Sequence, residues 1–346
     1  MKSDENWMQV AIAEARQGIG LTSPNPAVGA VIVKDDILLG KGWHRQAGQP
    51  HAEREAIADA LSRHPAGVLR GSTIYVTLEP CSSHGRTPPC TQGIIDAGIS
   101  RVVYGIHDPN PMHAGRAESC LQSHGVEVTS GVCTTECQSL IRAFAKKQST
   151  GFPWVILKSA MSLDGRITRP PGEGQWLTSP KSREYVQRLR FESDAIITGG
   201  NTLCIDDPAL TLRSKQLAIS GQKQQPWRMV ITRGSASQLP PKAQVFTDAY
   251  ADRTLVQEQG DLTAALQTLA DADCNTVLVE AGGTLMSAFL DAGLVDEVAL
   301  FYAPMLTGGP DAGFAGVPTD IQLTDQCYTR IGNDILLRAT VVHSAL

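Results

Sequence analysis

The sequence lacks the features of a membrane protein and of a protein built to grip a long polyanion. No stretch approaches the roughly 20 consecutive apolar residues that a bilayer-spanning helix needs. Positive charge is in deficit: 30 Lys and Arg stand against 35 Asp and Glu, a formal net charge of −5. That balance excludes the basic footprint of a nucleic-acid partner. It leaves room for small phosphorylated ligands, which need only one or two local cations or a helix N-terminus. Internal repeats and low-complexity segments are missing, and so is the Gly-x-Gly-x-x-Gly turn that marks a Rossmann cofactor site. The first residues, MKSDENWMQVAIAEARQG, are acidic and amphipathic. They read as a helix rather than a secretion signal, and a cytoplasmic address follows.

What is present is an ordinary globular mixture, 42% hydrophobic and 19% charged over 346 residues. That length exceeds what one hydrophobic core usually serves, so two domains are expected. A chain this long does not need its eight cysteines as disulfide staples. They read as reduced thiols, and any that cluster with histidine are candidate metal ligands.

The hydrophobic periodicity alternates between strand and helix. A helix is predicted over 4–17, then a hairpin of Val28–Val33 and Ile37–Trp43 turning at Lys34-Asp35-Asp36. A helix with Ala52, Ala56, Ile57, Ala60 and Leu61 on one face follows. Strands at 73–78, 101–106 and 126–132 are separated by helices at 90–97 and 118–123. Thr135-Glu136-Cys137-Gln138 reads as a capping box opening a helix through Lys147. The polar, then Gly/Pro-punctuated Gln148–Pro153 places a domain boundary at 148/149. Beyond it the rhythm restarts: strands at 154–159, 195–198, 228–232, 276–279, 297–301 and 335–342, with helices at 180–190, 262–269 and 284–292. The fold class is α/β in both halves. The apolar Val298-Ala299-Leu300-Phe301 leaves room for packing against a second copy.

The strongest chemical signal is Pro50-His51-Ala52-Glu53 with Glu79-Pro80-Cys81 and Pro88-Pro89-Cys90. One imidazole and two thiolates suit Zn²⁺, and three protein ligands leave a fourth position open, the mark of a catalytic rather than a structural site. A zinc ion so held makes hydroxide available near neutrality. Glu53 is the proton carrier beside the metal, as His-x-Glu with Pro-Cys is the signature of zinc deaminases. That signature has two residues between its cysteines, whereas eight separate Cys81 from Cys90, so the loop is lengthened. His51 and Glu53 converge only at a helix start. Cys120, Cys133, Cys137, Cys204, Cys274 and Cys327 read as small buried residues.

Around this core, Thr22-Ser23-Pro24-Asn25-Pro26-Ala27-Val28-Gly29, Gly42-Trp43-His44, Gly85-Arg86-Thr87-Pro88-Pro89-Cys90 and Asp108-Pro109-Asn110-Pro111 resemble the bifunctional riboflavin biosynthesis deaminase/reductases. The resemblance continues through Lys158, Ser162-Leu163-Asp164-Gly165-Arg166, Gln175-Trp176, Asp206-Asp207-Pro208 and Val279-Glu280-Ala281-Gly282-Gly283. It implies a cytidine-deaminase-like three-layer α/β/α domain (1–148) and a dihydrofolate-reductase-like α/β domain (149–346). It also implies two reactions. The first is zinc-dependent deamination of 2,5-diamino-6-ribosylamino-4(3H)-pyrimidinone 5′-phosphate. The second is reduction of the ribosyl group by NADPH, giving 5-amino-6-ribitylamino-uracil 5′-phosphate.

The same resemblance assigns Asn25, His44, Arg86, Asp108 and Asn110 to the deaminase substrate, although Asp108-Pro109-Asn110-Pro111 would serve equally as a plain turn. It assigns Ala160, Trp176, Thr202, Asp206 and Gly282, Gly283, Thr284, Leu285, Met286, Ser287 and Ala288 to NADPH. Gly174, Arg190, Leu210, Arg213 and Glu280 go to the second substrate. From the residues alone, Gly282-Gly283 fits either an anion site or a tight turn. Lys158, Asp206 and Glu280 are candidate general acids. The chain departs from the family in carrying Ser82-Ser83-His84, with His one position late, and Ala117 for a usual Gly. Two competing readings make the second half a non-catalytic nucleotide-binding module, or the first half an RNA base editor. The acidic charge weighs against the latter.

Overall fold

The computed structural model describes all residues except 1, 66, 83–88, 111–113, 170–175, 215–222, 309–313, 315–319 and 343–346. Arg86 and Gly174, and the departures at Ser83 and His84, lie outside the described residues. The chain forms two compact units, Met1–Gly151 and Phe152–Leu346. Among the described residues, no helix is long and apolar enough to cross a membrane.

In the first unit, helix α1 (Asp4–Ala15) is opened by a capping box of Ser3 and Asn6. Strands β1 (Gly29–Lys34) and β2 (Ile37–Trp43) form the expected hairpin, with Asp35 and Asp36 both at positive φ as a two-residue turn requires. Helix α2 (Ala52–Arg63), β3 (Thr73–Leu78), α3 (Cys90–Asp96), β4 (Arg101–Ile106), α4 (Arg116–Ser123), β5 (Glu127–Ser130) and α5 (Thr134–Thr150) complete it. The sheet order is β2-β1-β3-β4-β5, antiparallel at β1 and parallel from β3 onward.

Alternation along the strands divides the core into two layers. Ala30, Ile32, Ile74, Val76, Val102 and Tyr104 face Ala56, Ala60, Ile94 and Leu121 of α2, α3 and α4. Val31, Val33, Tyr75 and Val103 face Met8, Ile12, Cys137 and Ile141 of α1 and α5. The start of α5 corrects one expectation. Its N-cap is Cys133 at φ 54, and no side chain caps it, so Thr135-Glu136-Cys137-Gln138 is helix interior rather than a capping box. The helix runs through the polar Gln148–Thr150, and Gly151 at φ 78 ends it.

The second unit holds β6 (Trp154–Ser162), α6 (Pro180–Glu192), β7 (Ala195–Gly199), α7 (Gly200–Asp206), β8 (Trp227–Ile231), α8 (Gln244–Thr247) and β9 (Thr254–Gln257). It continues with α9 (Leu262–Asp271), β10 (Thr276–Glu280), α10 (Gly283–Asp291), β11 (Glu297–Ala303), β12 (Leu323–Ile331) and β13 (Asp334–Val341). Its sheet runs β12-β13-β11-β6-β10-β7-β8-β9, parallel from β11 to β9 and antiparallel at β13 and β12. Leu266, Leu269, Met286 and Phe289 cover one face, and Leu189 of α6 with Leu203 of α7 the other. β11 is interior to this sheet and Val298–Phe301 is buried, so that segment is core and not a face for a second copy. The cysteine reading is corrected in part. Cys137 and Cys274 are buried, Cys120 and Cys133 are half-buried, and Cys204 and Cys327 are exposed.

The glycines of β2 decide where the first site can form. A Cβ on Gly42 would stand 2.5 Å from the backbone nitrogen of Ala56, and one on Gly40 would run into the carbonyl of Ala56. Only bare backbone lets α2 lie this close to the sheet. Gly42→Ala is therefore expected to cost roughly 1–3 kcal/mol of stability and to weaken zinc retention by displacing α2. Denaturant unfolding and metal content of the purified variant check this; an unchanged midpoint would show that the helix has slack.

Candidate active sites

In the first unit, two helix starts converge on the carboxyl end of β3. His51 is the N-cap of α2, Cys90 is the first residue of α3, and Cys81 follows β3 by three residues. Pro50 precedes the cap. Glu53, two residues past the cap, turns inward and is 3% exposed. Arg54 ties the helices together: its Nη2 donates to the Pro89 carbonyl at 3.2 Å, immediately before Cys90. The Cys90 amide donates to the Cys81 sulfur at 3.2 Å, and the Thr91 amide donates to the Cys81 carbonyl at 3.2 Å.

His51 Nδ1 lies 3.5 Å from the Cys81 sulfur and 3.4 Å from that of Cys90. Among the described residues, these three are the group close enough to share a metal, with all donor atoms within 4.8 Å of one another. Tetrahedral zinc at ordinary Zn–N and Zn–S lengths would separate nitrogen and sulfur by about 3.6 Å. The donor set and its spacing therefore fit zinc. Among the described residues no fourth side chain belongs to the group, which fits a site with one position open to water.

The protons of this cluster are unevenly held. The Cys81 sulfur pulls the His51 imidazole up to about 9. Cys81 is drawn down to about 4, chiefly by the Cys90 thiol and then by His51, while the Cys90 thiol is pushed well up by the same contact. A metal that takes all three must displace protons from His51 and Cys90. Burial, reinforced by the negative charge on Cys81, raises Glu53 above the usual carboxylate range. That direction suits a group that must both accept and give up a proton near neutrality.

Asn25 and His44 are brought together beside the cluster. His44 Nδ1 faces the Pro50 carbonyl at 3.0 Å, and its Nε2 meets Asn25 Nδ2 at 3.0 Å. A carbonyl can only accept, so the ring proton sits on Nδ1 and Nε2 accepts from the Asn25 amide. Both ring nitrogens are thus engaged in the protein, and burial lowers the pKa of His44, keeping it neutral. The contact fixes the orientation of the Asn25 amide beside the cluster.

Asp108 and Asn110 form a real turn, the Asn110 amide donating to Asp108 Oδ1 at 2.8 Å. Sequence reasoning missed what holds that turn, the carboxylate of Glu79, although the residue stood inside the Glu-Pro-Cys string. Ala117, the departure from the usual Gly, is fully buried in α4 at an ordinary helical position, so the substitution meets no backbone strain.

In the second unit, the assigned residues gather at the carboxyl ends of the parallel strands, where ligands of open α/β sheets bind. Ala160 and Lys158 lie on β6, and Glu280 pairs in register with Lys158 from β10. Thr202 lies in α7 after β7, and its hydroxyl accepts from the Gly282 amide at 3.2 Å. Gly282 is the N-cap of α10 and no side chain caps it. The first-turn amides of a nine-residue helix are then left for an external anion, which is what the phosphates of NADPH need. The residues present fit that cofactor. Gly283, Met286 and Ser287 are buried, and within the Gly282–Ala288 segment Thr284 is the exposed residue. Trp176 is not core packing: it is 55% exposed, with the Arg183 guanidinium 5.2 Å from its ring.

Arg190 is buried, not the solvated helix-surface arginine that its helical position would usually give. Its Nε and Nη2 donate to Glu280 at 2.6 and 3.1 Å, and its Nη1 donates to the Thr211 carbonyl at 2.9 Å. Burial opposes charge on Glu280, yet Arg190 and Lys158 outweigh it and hold the carboxyl below its ordinary range. Burial lowers Lys158, whose Nζ lies 3.9 Å from Glu280. Leu210 is buried at φ 50, while Arg213 and Asp206 are exposed.

Comparison with known proteins agrees with both halves. Residues 1–106 match the family model described as the cytidine and deoxycytidylate deaminase zinc-binding region, and residues 153–337 match the RibD C-terminal domain. The chain is 41% identical to the riboflavin biosynthesis protein RibD of Escherichia coli K12 over 93% of each sequence. It is 39% identical to that of Synechocystis over 97% of this chain and 96% of the other. The solved structure of Acinetobacter baumannii RibD superposes with a TM-score of 0.87 at 38% identity, covering 98% of this chain and 99% of that one. A deaminase/reductase from Thermotoga maritima superposes with a TM-score of 0.86 at 33% identity and the same coverage. With a deaminase zinc-binding region in the first half, a RibD C-terminal domain over most of the second, and RibD relatives matched over nearly the whole chain, the chain belongs to the RibD family of riboflavin biosynthesis proteins.

Proposed function

We propose that this chain is a bifunctional enzyme of riboflavin biosynthesis, with residues 1–148 as the deaminase and 149–346 as the reductase. The first site removes ammonia from 2,5-diamino-6-ribosylamino-4(3H)-pyrimidinone 5′-phosphate. The second reduces the ribosyl group to ribityl, giving 5-amino-6-ribitylamino-uracil 5′-phosphate. The observation that carries the reading is the His51, Cys81, Cys90 cluster with buried Glu53 beside it, in a chain whose second half independently matches the reductase.

His51, Cys81 and Cys90 would hold zinc, which would make hydroxide available from water at neutral pH. Glu53 takes the proton that the water gives up and delivers it to the departing amine; its raised pKa favours holding that proton in between. Asn25 Oδ1 orients the ring by accepting from an N–H of the pyrimidine, and Asp108 and Asn110 bound the pocket. Arg86 is proposed for the phosphate, since a guanidinium fork matches phosphate oxygens.

At the second site NADPH supplies the hydride. The first turn of α10, Gly282–Leu285, with Ala160, Thr202, Asp206 and Trp176, holds the cofactor; Gly174, Leu210 and Arg213 hold the substrate. Arg190 keeps Glu280 ionised, which removes Glu280 from the candidate acids. Lys158, a buried ammonium against that carboxylate, is the group with a proton to give as the ribose ring opens. A passive nucleotide-binding module has no use for a buried Lys–Glu–Arg cluster at its ligand face.

Three outcomes are expected. Glu53→Gln should keep zinc and fold but lose deaminase turnover by about 10³-fold or more, while pre-deaminated substrate is still reduced with NADPH oxidation; a near-normal ammonia-release rate would remove Glu53 from its role. Stripping zinc with a chelator should abolish deamination and spare the reductase, read by 340 nm absorbance on the same sample. Loss of both activities would show that the metal supports the second half. Lys158→Met should lower reductase kcat by at least about 10²-fold with NADPH affinity retained, and fluorescence titration of the cofactor separates the two effects.

A further inference from the structure

We propose that Glu79 is a positioning residue of the deaminase: its buried carboxylate fixes the loop that carries Asp108 and Asn110 and so sets the affinity for the pyrimidine. The inference rests on the reading that those two residues line the substrate pocket. Glu79 directly follows β3, two positions before Cys81, and its side chain is 1% exposed. Its Oε2 accepts from His107 Nδ1 at 3.2 Å, from the Asp108 amide at 3.3 Å and from the Gly115 amide at 3.0 Å. Its Oε1 accepts from the Ala117 amide at 3.1 Å. Its own amide donates to the Ile106 carbonyl at 2.9 Å, closing the end of β4 against it.

These four donors are not scattered. His107 and Asp108 stand where the loop leaves β4, and Gly115 and Ala117 stand where it enters α4. One carboxylate therefore holds both the start of the loop, from which Asp108 and Asn110 project, and the start of α4. Within the segment, the Asp108 side chain accepts from Asn110 and the Asn110 carbonyl accepts from the Ala114 amide at 3.1 Å, so fixing the ends fixes the turn. The amides of Gly115 and Ala117 belong to the first turn of α4, where backbone donors have no intrahelical partner and a negative charge is favoured. Only an anionic acceptor with two oxygens can serve all four donors at once. An amide in its place would turn an N–H against N–H groups. Among the described residues its hydrogen bonds go to the loop and the start of α4 and not to His51, Cys81 or Cys90, so it acts through the loop.

The experiment measures deaminase kcat and KM with the phosphorylated diaminopyrimidine for Glu79→Gln, Glu79→Asp and Asn110→Ala. Zinc content and reductase rate are read on the same full-length preparations. For Glu79→Gln the expected result is a KM raised tenfold or more, kcat within about threefold of normal, full zinc and an unchanged reductase rate. Glu79→Asp, which keeps the charge on a shorter arm, should fall between and serves as the readout should the Gln variant fail to fold. A purely stabilising role would lower kcat in step with zinc content and leave KM alone, and that result overturns the proposal, as does a normal KM in zinc-loaded protein. Asn110→Ala separates the two layers of argument. A normal KM there removes Asn110 from the pocket whatever Glu79 does, and a raised KM there with a normal one in Glu79→Gln rejects the clamp alone.

Discussion

The geometry of the deaminase half depends on how closely α2 can approach the hairpin. His51 caps that helix and Glu53 follows within its first turn, so both inherit their position from the depth at which the helix lies on β2. Gly40 and Gly42 allow that depth, and Ala56 and Ala60 meet them with the smallest side chains. The same helix carries Arg54, which reaches the Pro89 carbonyl and places Cys90. A metal site made from three separate segments is thereby reduced to one helix-on-sheet contact and one arginine bridge. Its ligands stand at metal-binding distance because the backbone beneath them has no freedom to do otherwise.

The reductase half solves a different problem, that of keeping charge in a dry place. Arg190 is buried and Lys158 and Glu280 are largely withdrawn from water, where none of the three would be well tolerated alone. Together they hold an ionised carboxylate between two cations at the carboxyl end of β6 and β10, and Arg190 extends the arrangement to the Thr211 carbonyl. Of the two cations, Lys158 is the one that can lose its charge more easily, because burial works against it. Electrostatics fixed before the substrate arrives needs no rearrangement during the reaction.

Much of this was legible in the sequence, and the boundary of legibility follows range along the chain. The hairpin turn at Asp35-Asp36, the run Thr73–Leu78 and the cap Ser179-Pro180 are local, and periodicity or turn chemistry reveals them. The zinc ligands were legible because three rare residue types occur together in a known order. What escaped was set by contacts distant in sequence. The exposed β12, the outer strand of its sheet with its side chains mostly in water, has no apolar alternation to betray it. The short β9 is half-buried throughout. Val298–Phe301 read as an open apolar face because nothing in those four residues tells that strands flank β11 on both sides. The capping box at Thr135 failed since the helix is capped two residues earlier, at a left-handed Cys133 that no rule of composition anticipates. Arg190 was assigned to the second substrate, and its pairing with Glu280 escaped because that partner lies 90 residues away.

The strand order of the second unit has a consequence for how the chain is made. β6 is the first strand of that unit to leave the ribosome, yet its sheet neighbours are β10 and β11, which begin at Thr276 and Glu297. Until most of the unit has been synthesised, β6 has no partner on either edge. The nascent first unit is under no such delay: its opening hairpin closes within 15 residues and its sheet is complete by Ser130. Translation thus presents a finished metal-binding half attached to a long unpaired, apolar strand, the state in which aggregation or chaperone capture competes with folding.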